Sequence, residues 1–288
     1  MKKKFYNGLP ALLFLVLLSI ACRKSGITDS VNPPPPNGGD STQSTHTDGA
    51  IPYPVIPITG CPNAPDYGDT LIYPQPPNGQ DYIVSPVNNP GAGKYYSWPE
   101  GMVIDSITGA INVTRSETGL KFDIGFVKDG TTDTCLTRLT LAGASYTDSV
   151  YVLANNETKA NPYYNANHLM TTAPGGSHFD ITKSAYNQLI SVNNSTGIID
   201  LKNSLKAFGL LPLNGQTIQT TMYYTLNDGS NNALQQITVQ FMYYYQKSQI
   251  NSGLLNTILF KQLNIFNDDL ILKAGKVRPP LIIITRYN

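Results

Sequence analysis

The sequence has little charge, and its positive and negative residues almost cancel. Only 14% of the 288 residues are charged, and 20 Lys and Arg against 19 Asp and Glu leave a formal net charge of +1. A nucleic-acid surface needs a concentrated positive field that neutralises phosphates. The Lys and Arg residues are scattered along the chain, without a basic stripe between stacking aromatics. We therefore expect no nucleic-acid partner.

Histidine and glutamate, on which many enzymes rely, are scarce. The chain has three histidines, and His168 and His178 stand ten positions apart in a segment rich in Gly, Pro and Asn. No serine lies in a Gly-x-Ser-x-Gly motif, and each of the three glutamates stands in a turn-like context. The sequence therefore predicts a protein that is not an enzyme. A carbohydrate-active enzyme with a pair of carboxylates is the remaining alternative.

Cysteine is rare as well, with three residues in the chain. Cys61 and Cys135 form an even pair once Cys22 is set aside, and neither has a histidine nearby. Two distant cysteines are too few for a zinc site, whereas in an exported chain a disulfide is the default expectation. Cys135 also falls on the more apolar face of an alternating segment. We predict a disulfide between Cys61 and Cys135.

The apolar run at the start of the chain is too short to cross a bilayer. Residues 11–20 follow the three lysines at 2–4 and give an apolar segment of ten residues. Ser-Ile-Ala-Cys at residues 19–22 resembles the lipobox of bacterial lipoproteins. The resemblance implies a signal peptide at residues 1–21 and acylation of Cys22. An ordinary secretory signal with an incidental cysteine is the alternative.

The stretch behind the signal has almost nothing to bury. Residues 22–50 include four consecutive prolines at 33–36, followed by Gly, Ser, Thr and Gln. Pro-rich chain prefers extended polyproline II, and Gly/Ser/Thr-rich chain stays flexible. We expect a disordered tether here. The remaining residues, 51–288, are enough for two domains of ordinary size.

Alternation with a period of two dominates the rest of the chain. In one stretch, residues 122–126 alternate before an Asp-Gly pair at 129–130 and a returning strand. In the other, residues 218–226 alternate before Asp-Gly at 228–229 and a returning strand at 237–243. Each stretch predicts a hairpin. Two hairpins with long non-local pairings favour β-sandwiches.

A short motif ahead of each hairpin repeats. Residues 103–114 read VIDSITGAINVT and residues 191–202 read SVNNSTGIIDLK, with Gly109 and Gly197 88 positions apart. We interpret them as equivalent corners, in which Thr-Gly supplies the bend and aliphatic residues begin the next strand. The second copy carries an insertion around residues 207–217, AFGLLPLNGQT. We expect function in what differs between the copies: this insertion and the aromatic stretches.

The residues around the first corner resemble the immunoglobulin-like and cadherin-like repeats of bacterial surface proteins. The segment that begins at Trp98, WPEGMVIDSITGAI, matches their Leu-Pro-x-Gly-Leu-x-Ile-Asp-x-x-Thr-Gly-x-Ile pattern. The whole layout is similar to lipoproteins of Bacteroidota type. The resemblance implies an all-β chain with two tandem immunoglobulin/cadherin-like β-sandwich domains, at residues 51–158 and at residues 159–288 with a C-terminal extension. Such repeats serve adhesion, spacing or glycan handling, mostly without catalysis.

The end of the chain mixes two patterns. Apolar residues spaced as in a helix from Leu254 to Phe266 predict an amphipathic helix, and residues 270–272 and 281–284 read as strands. Four consecutive aliphatic residues at 281–284 should be buried. We expect them to complete the second sheet or to pack between the domains.

Aromatic residues are the leading candidates for a ligand surface. Tyr95, Tyr96, Trp98, Tyr243 and Tyr245 could build a flat platform for sugar rings. Consecutive residues of a strand point to opposite faces. The alternative is therefore that each tyrosine pair places one ring inside and one outside.

Calcium is the one metal with candidate ligands. Asn155, Asn156 and Glu157 supply hard oxygen atoms near the predicted domain boundary. The sequence has neither an EF-hand loop nor a cadherin Asp-x-Asn-Asp-Asn junction, and a plain linker turn is the alternative. We expect no cofactor, with Ca²⁺ at this turn as the exception to test.

Together these patterns predict a non-catalytic lipoprotein of the cell envelope that acts as a binding or adhesion module. The expected partner is a glycan or an envelope protein, and the lipid anchor is expected to hold the chain at the outer membrane. A structural spacer or a subunit of an envelope assembly is the alternative. Arg23 and Lys24 follow Cys22 where surface-exported lipoproteins often have an acidic run. The periplasmic and surface faces therefore both stay open.

Overall fold

The computed structural model describes residues 55–56, 61–99, 101–264 and 279–288. Within these ranges the chain is mostly β, with sixteen strands, three α-helices and three 3₁₀ turns. This agrees with the coarse form of the all-β prediction. None of the helices in these ranges is long and apolar enough to span a membrane. The predicted signal peptide, the tether and the lipidation site Cys22 lie outside the described residues.

Seven strands form the first half of the described chain. They are β1 (Val55–Ile56), β2 (Leu71–Ile72), β3 (Ile83–Val84), β4 (Gly93–Trp98), β5 (Ile111–Asn112), β6 (Leu120–Lys128) and β7 (Thr134–Leu141). One sheet has the order β1-β7-β6-β4, with β2 also beside β7, and β3 pairs with β5. The predicted alternation is confirmed, because Phe122, Ile124 and Phe126 are fully buried in one cluster with Ile111.

Two cross-links involve β7. Cys135 forms a disulfide with Cys61, 74 positions earlier, with the two Cα atoms 5.6 Å apart. The predicted pairing is confirmed. On the same strand, Arg138 Nε and Nη2 lie 2.6 and 3.0 Å from the two carboxylate oxygens of Asp123 on β6. Asp123 is fully buried, so this two-point contact compensates for the water that the carboxylate loses.

The second half holds nine strands and three helices. They are β8 (Ala144–Tyr146), β9 (Ser149–Val152), β10 (Lys159–Ala160), β11 (Pro162–Tyr164), α1 (Ser184–Asn187), β12 (Ser191–Val192), β13 (Ile199–Asp200), α2 (Leu201–Ser204), β14 (Gln216–Tyr224), β15 (Gln235–Gln246), α3 (Ser252–Asn264) and β16 (Leu281–Tyr287). The sheets have the orders β14-β15-β16-β9, β10-β13-β12 and β11-β8. The second predicted hairpin is confirmed as β14 and β15. Met222, Tyr224 and Phe241 lie fully buried in its cluster.

The strand β16 lies inside the four-stranded sheet and pairs parallel with β15 on one side and with β9 on the other. Ile282 and Ile284 join the large cluster, whereas Leu281 and Ile283 join a second cluster with Ile258 of α3. A parallel strand covered on both faces needs a continuous apolar run. The predicted burial of these four residues in the second sheet is confirmed. With β15 and α3, β16 forms a βαβ unit.

Asp148 ties α3 to β16. Its Oδ1 accepts from the Leu281 N–H at 3.0 Å, and its Oδ2 lies 3.3 Å from Lys261 Nζ. Gln262 Nε2 donates to the Asp148 carbonyl at 2.9 Å. The predicted helix is present as α3, with Ile258 buried but Leu259 of the expected apolar face 55% exposed. Phe266 and the predicted strand at 270–272 lie outside the described residues.

Strand pairing crosses the predicted domain boundary after residue 158. β8 pairs with β11, and β9 belongs to the sheet of β14, β15 and β16. Side chains also cross it, because Thr118 Oγ1 lies 2.8 Å from the Tyr224 hydroxyl. Burial raises the pKa of Tyr224 to about 12. The division into residues 51–158 and 159–288 stays a prediction. Among the described strands, β1 to β7 pair with one another, and β8 to β16 pair with one another.

The two Thr-Gly corners are equivalent, hydrogen bond by hydrogen bond. The Gly109 N–H donates to Asp105 O and the Gly197 N–H to Asn193 O, each at 2.8 Å. The side chains of Asp105 and Asn193 both accept from the N–H groups two and three residues further on. In the first copy these bonds lower the pKa of the Asp105 carboxyl, and the bond from the Thr108 N–H has the largest effect. The predicted equivalence is confirmed at atomic detail.

A tyrosine completes each corner in the same way. The Tyr67 hydroxyl donates to Gly109 O, and the Tyr146 hydroxyl donates to Gly197 O. In both copies a serine seven positions after the glycine also accepts from a backbone N–H ahead of the corner, Ser116 from Val103 and Ser204 from Ser191. Since the same atoms have the same roles twice, the motif is a scaffold feature and not a ligand loop.

We expect Gly109→Ala to lower the free energy of unfolding by about 2–4 kcal/mol. Gly109 has a φ of 71°, and a Cβ there would lie 2.5 Å from the Tyr95 ring. The positive φ and the overpacking both destabilise the variant. Gly130→Ala is the control, because its φ is 78° but nothing lies within 4 Å of the added Cβ. Urea unfolding should show a clearly larger loss for Gly109→Ala, and equal losses would contradict the packing role of the ring.

Candidate functional site

Most of the predicted aromatic platform is buried. The side chains of Tyr95, Trp98 and Tyr243 are between 1% and 4% exposed. Tyr96 is half-buried, and Tyr245 is 47% exposed. These five residues do not form one exposed surface. The expectation of a flat sugar platform built from them is therefore corrected.

The buried rings belong to the two cores because strand alternation points them inwards. The Tyr95 ring centre lies 4.9 Å from that of Phe126. The Tyr243 ring centre lies 5.7 Å from that of Phe208. Tyr245 is exposed because β15 extends past the cluster at its end. The pattern alone could not tell which tyrosines would face the core.

The candidate calcium ligands form a tight turn. Asn156 has a φ of 65°, and Glu157 Oε2 accepts from the Val152 N–H at 2.7 Å. The side chains of Asn155 and Asn288 are hydrogen bonded to each other. In the described ranges no three His, Cys, Asp or Glu side chains converge as metal ligands. Calcium at this turn stays a prediction without a geometric argument for it.

An open depression of about 540 Å³ lies beside this turn, along β9. Its lining is the strand itself and residues 156–159. Two backbone groups along this strand already have side-chain partners: Glu157 accepts from the Val152 N–H, and Gln262 donates to Asp148 O. Edge strands are commonly protected from further pairing in this way. We place the candidate site elsewhere.

The strongest candidate surface is the insertion that only the second copy carries. In residues 209–215, Leu210, Leu211 and Leu213 expose 99%, 87% and 72% of their surface. We call these three residues the tip leucines. Single exposed apolar residues are ordinary on a protein surface, whereas clustered ones mark contact sites. The insertion therefore has the chemistry of an interaction surface.

The loop is held at its C-terminal end by hydrogen bonds. The Gln216 side chain accepts from the Leu213 N–H at 3.1 Å and donates to Phe208 O at 3.2 Å. The Gly215 N–H donates to Tyr243 O at 2.8 Å. A loop fixed in this way presents its leucines with less entropy left to lose on binding.

A pair of exposed tyrosines lies next to the loop. Asn214 Oδ1 accepts from the Tyr245 N–H at 2.7 Å. The rings of Tyr245 and Tyr287 meet edge-on with their centres 5.3 Å apart, and they are 47% and 48% exposed. We call residues 209–215 together with Tyr245 and Tyr287 the distal tip.

The distal tip lies at the end of the sheet remote from the first half. At the other end, the turn between β14 and β15 contacts the first half. There Gln75 Nε2 donates to Gly229 O at 3.1 Å, and Asn231 Nδ2 donates to Gln75 Oε1 at 2.9 Å. β14 has nine residues and runs from the distal tip to this turn. At ~3.3 Å per residue the two ends are roughly 30 Å apart.

Three exposed cations adjoin the distal tip in the sequence. Lys206 precedes the loop, Lys247 follows one tyrosine and Arg286 precedes the other. Two carboxylates of the described residues in the second half are already bound to the backbone: Asp200 accepts from an N–H of α2, and Glu157 accepts from the Val152 N–H. Three cations therefore stand within three positions of the loop or its tyrosines in the sequence, although the whole chain is nearly neutral.

The pattern of residues 207–217 predicted an insertion, and the exposed leucines lie within it. Their exposure was not predicted, and neither was the position of Tyr287. A signal for the exposure was present. Gly209, Pro212 and Gly215 interrupt both helix and strand in this short segment, so no regular element could bury its three leucines.

No protein-family model matches the chain, and no curated protein matches it. Solved structures with a low similarity to the chain include cadherin structures. Drosophila N-cadherin EC1-4 is 9% identical at a TM-score of 0.20, and the match covers 62% of this chain and 49% of that one. Mouse clustered PcdhgC3 EC1-3 is 10% identical at a TM-score of 0.19, and the match covers 62% of this chain and 67% of that one. Mouse Protocadherin-24 EC1-3 is 9% identical at a TM-score of 0.20, and the match covers 61% of this chain and 68% of that one.

The chain spans about half the length of the Drosophila cadherin structure that it matches. Similarities at this level define neither a fold family nor a function.

Proposed function

We propose that the chain is a non-catalytic binding or adhesion module of the cell envelope. In this proposal a lipid on Cys22 holds it at the outer membrane, and the distal tip contacts the partner. The observation that carries the proposal is the joint exposure of the three tip leucines on a fixed loop. Exposed apolar groups of this kind mark interaction sites. The tip is also remote from the first half, which follows the tether. A tethered module would meet other surfaces with this remote end.

The apolar area sets the scale of the contact. A fully buried leucine contributes about 1.5–3 kcal/mol, and association costs several kcal/mol in lost freedom. One copy should therefore bind in the range of roughly 1 mM to 1 μM. Many copies anchored on one membrane raise the effective concentration and strengthen attachment without new contacts.

A glycan partner is the second candidate, and the exposed rings of Tyr245 and Tyr287 favour it. Aromatic rings offer a flat apolar face with a polar edge. A spacer in an envelope assembly is the third candidate, favoured by the hydrogen bonds of Gln75 across the two halves. Protease shaving of intact cells decides between the periplasmic and the surface face, since only a surface-displayed chain would be cleaved.

Adhesion of coated beads to isolated cell envelopes tests the main proposal. Beads that carry residues 23–288 should attach, and the tip variant, with serine at all three tip leucines, should lose at least about tenfold of this attachment. The control variant combines Leu169→Ser, Leu189→Ser and Leu234→Ser. It removes three other exposed leucines, which are 78%, 57% and 56% exposed.

The control variant should attach like the wild type. Equal attachment of the tip variant would refute the role of the distal tip, and so would an equal loss in the control variant. Attachment that disappears when glycans are removed from the envelopes would select the glycan candidate.

A further inference from the structure

We propose that the partner of the distal tip is a lipid bilayer with anionic headgroups, into whose surface the tip leucines insert. This inference rests on the proposed function, because it names the partner of the same tip. It joins three observations on the described residues: a protruding apolar loop, two tyrosines at its base and a set of flanking cations.

The leucines have the exposure expected of an inserting tip. Leu210 and Leu211 are 99% and 87% exposed, so they project from the surface. A stable interface between proteins buries about 800 Å² on each partner, and three leucine side chains offer roughly half of that. A second copy of the chain would therefore gain too little from the tip leucines alone. A bilayer accepts a small apolar tip of any outline, because its surface is fluid.

The tyrosines lie where a bilayer changes from acyl chain to headgroup. Tyr245 is joined to the base of the loop through its N–H, and its ring contacts that of Tyr287. Tyrosine is enriched at this level of membranes, because its ring is apolar and its hydroxyl is polar. Interfacial segments bury their apolar face about 5–10 Å deep. With the leucines at that depth, the tyrosines would lie among the headgroups.

The cations supply the preference for anionic headgroups. Lys206, Lys247 and Arg286 are exposed and lie within three positions of the distal tip in the sequence, and the Arg286 side chain is also hydrogen bonded to Tyr243. Their long side chains can lie along apolar surface while the charge reaches a headgroup. Each such cation near an anionic membrane contributes about fivefold in affinity. The carboxylates of Asp200 and Glu157 are bound to backbone N–H groups.

Flotation with lipid vesicles tests the inference. The non-acylated mature chain, residues 23–288, keeps every residue that the structure describes and removes the lipid anchor as a cause of binding. It is mixed with phosphatidylcholine vesicles, with or without about one third phosphatidylglycerol. We expect at least about tenfold stronger partitioning to the anionic vesicles at low salt, falling as the salt concentration rises.

Three variants separate the contributions. The tip variant should lose about tenfold or more of its partitioning to anionic vesicles. The control variant should stay within about twofold of the wild type. Lys206→Gln combined with Lys247→Gln should weaken partitioning to anionic vesicles by at least about fivefold. Partitioning of this pair to neutral vesicles should not change.

A tryptophan at the tip reports insertion directly. The chain has one tryptophan, and Trp98 is 4% exposed in the first half, so its emission should not respond to vesicles. Leu211→Trp adds a reporter on the loop. On anionic vesicles its emission should shift to shorter wavelength, and lipids brominated in the acyl chain should quench it. The wild-type chain supplies the background.

Different results would overturn the inference and the proposed function. The lipid partner is refuted if neither kind of vesicle floats the chain, if the tip variant floats as well as the wild type, or if light scattering shows a tip-dependent dimer without vesicles. When envelope adhesion still depends on the tip leucines, such a result leaves the proposed function standing. When the tip leucines matter in neither assay, both are refuted.

Discussion

A chain that ends at residue 278 should lose the cooperative fold of its second half. It lacks β16, whose residues 281–285 are almost completely buried between β15 and β9. Without that strand, backbone groups of both neighbours lose their partners, and two hydrophobic clusters open to water. Near-ultraviolet circular dichroism and urea unfolding measure the loss. A shortened chain that keeps the native spectrum and a single transition would contradict the central role of β16.

A point variant measures the same strand without removing it. Ile282 is fully buried in the large cluster. Ile282→Ala should therefore lower the free energy of unfolding by about 2–5 kcal/mol, because it leaves a cavity. Ile107→Ala is the matched control, since Ile107 is 67% exposed. The control should stay within about 0.5 kcal/mol of the wild type.

Replacing both cysteines of the disulfide with alanine should lower the free energy of unfolding by about 4–5 kcal/mol. Cys61 and Cys135 are 74 positions apart. In the chain-entropy model, opening a loop of this length frees the unfolded chain and so favours it. Equilibrium unfolding in guanidinium chloride, with the oxidised wild type alongside, measures the difference.

Reduction of the wild-type protein is the control for that experiment. A reductant opens the same loop but leaves the side-chain volume of both cysteines in place. The reduced protein should unfold close to the denaturant concentration at which the double alanine variant unfolds. If the alanine variant kept the midpoint of the oxidised protein, the cross-link would contribute nothing and the prediction would be wrong.

Local patterns predicted those parts of the fold that depend on near neighbours. Alternation located the hairpins β6–β7 and β14–β15, and the Thr-Gly spacing located two equivalent corners. Both signals depend on backbone geometry over a few residues, so they need no knowledge of the rest of the chain. The burial of residues 281–284 could also be predicted, because a strand covered on both faces has no polar side.

Long-range arrangement was not available from the same patterns. Strand period shows that Tyr95 and Tyr96 face opposite ways, but the partner sheet decides which face is the core. The boundary after residue 158 stays a prediction, and the pairing of β8 and β9 with later strands is a contact that the sequence did not indicate. Pairing between distant strands depends on tertiary packing, which one sequence does not reveal.

The sequence predicted where the candidate site lies, but it did not predict that the leucines there are exposed. Comparison of the two copies marked the insertion around residues 207–217 as a difference. An apolar group such as Leu210 and Leu211 ordinarily indicates burial. In the folded chain these leucines are exposed, and Gln216 and Asn214 hold the end of their loop by hydrogen bonds. Those contacts join residues whose types alone carry no such signal.

The position of β16 near the end of the sequence also limits how early the second half can fold. Leu281 is 133 positions later in the chain than Asp148, which accepts its N–H. At roughly 5–20 residues per second, synthesis delivers the two partners about 7–27 s apart. β15 is complete only at Gln246, 35 positions before Leu281, so the slot between β15 and β9 is open for about 2–7 s of that interval, and an extended segment of another chain could enter it. The second half therefore matures late, and its rate-limiting event should be the arrival of a single strand.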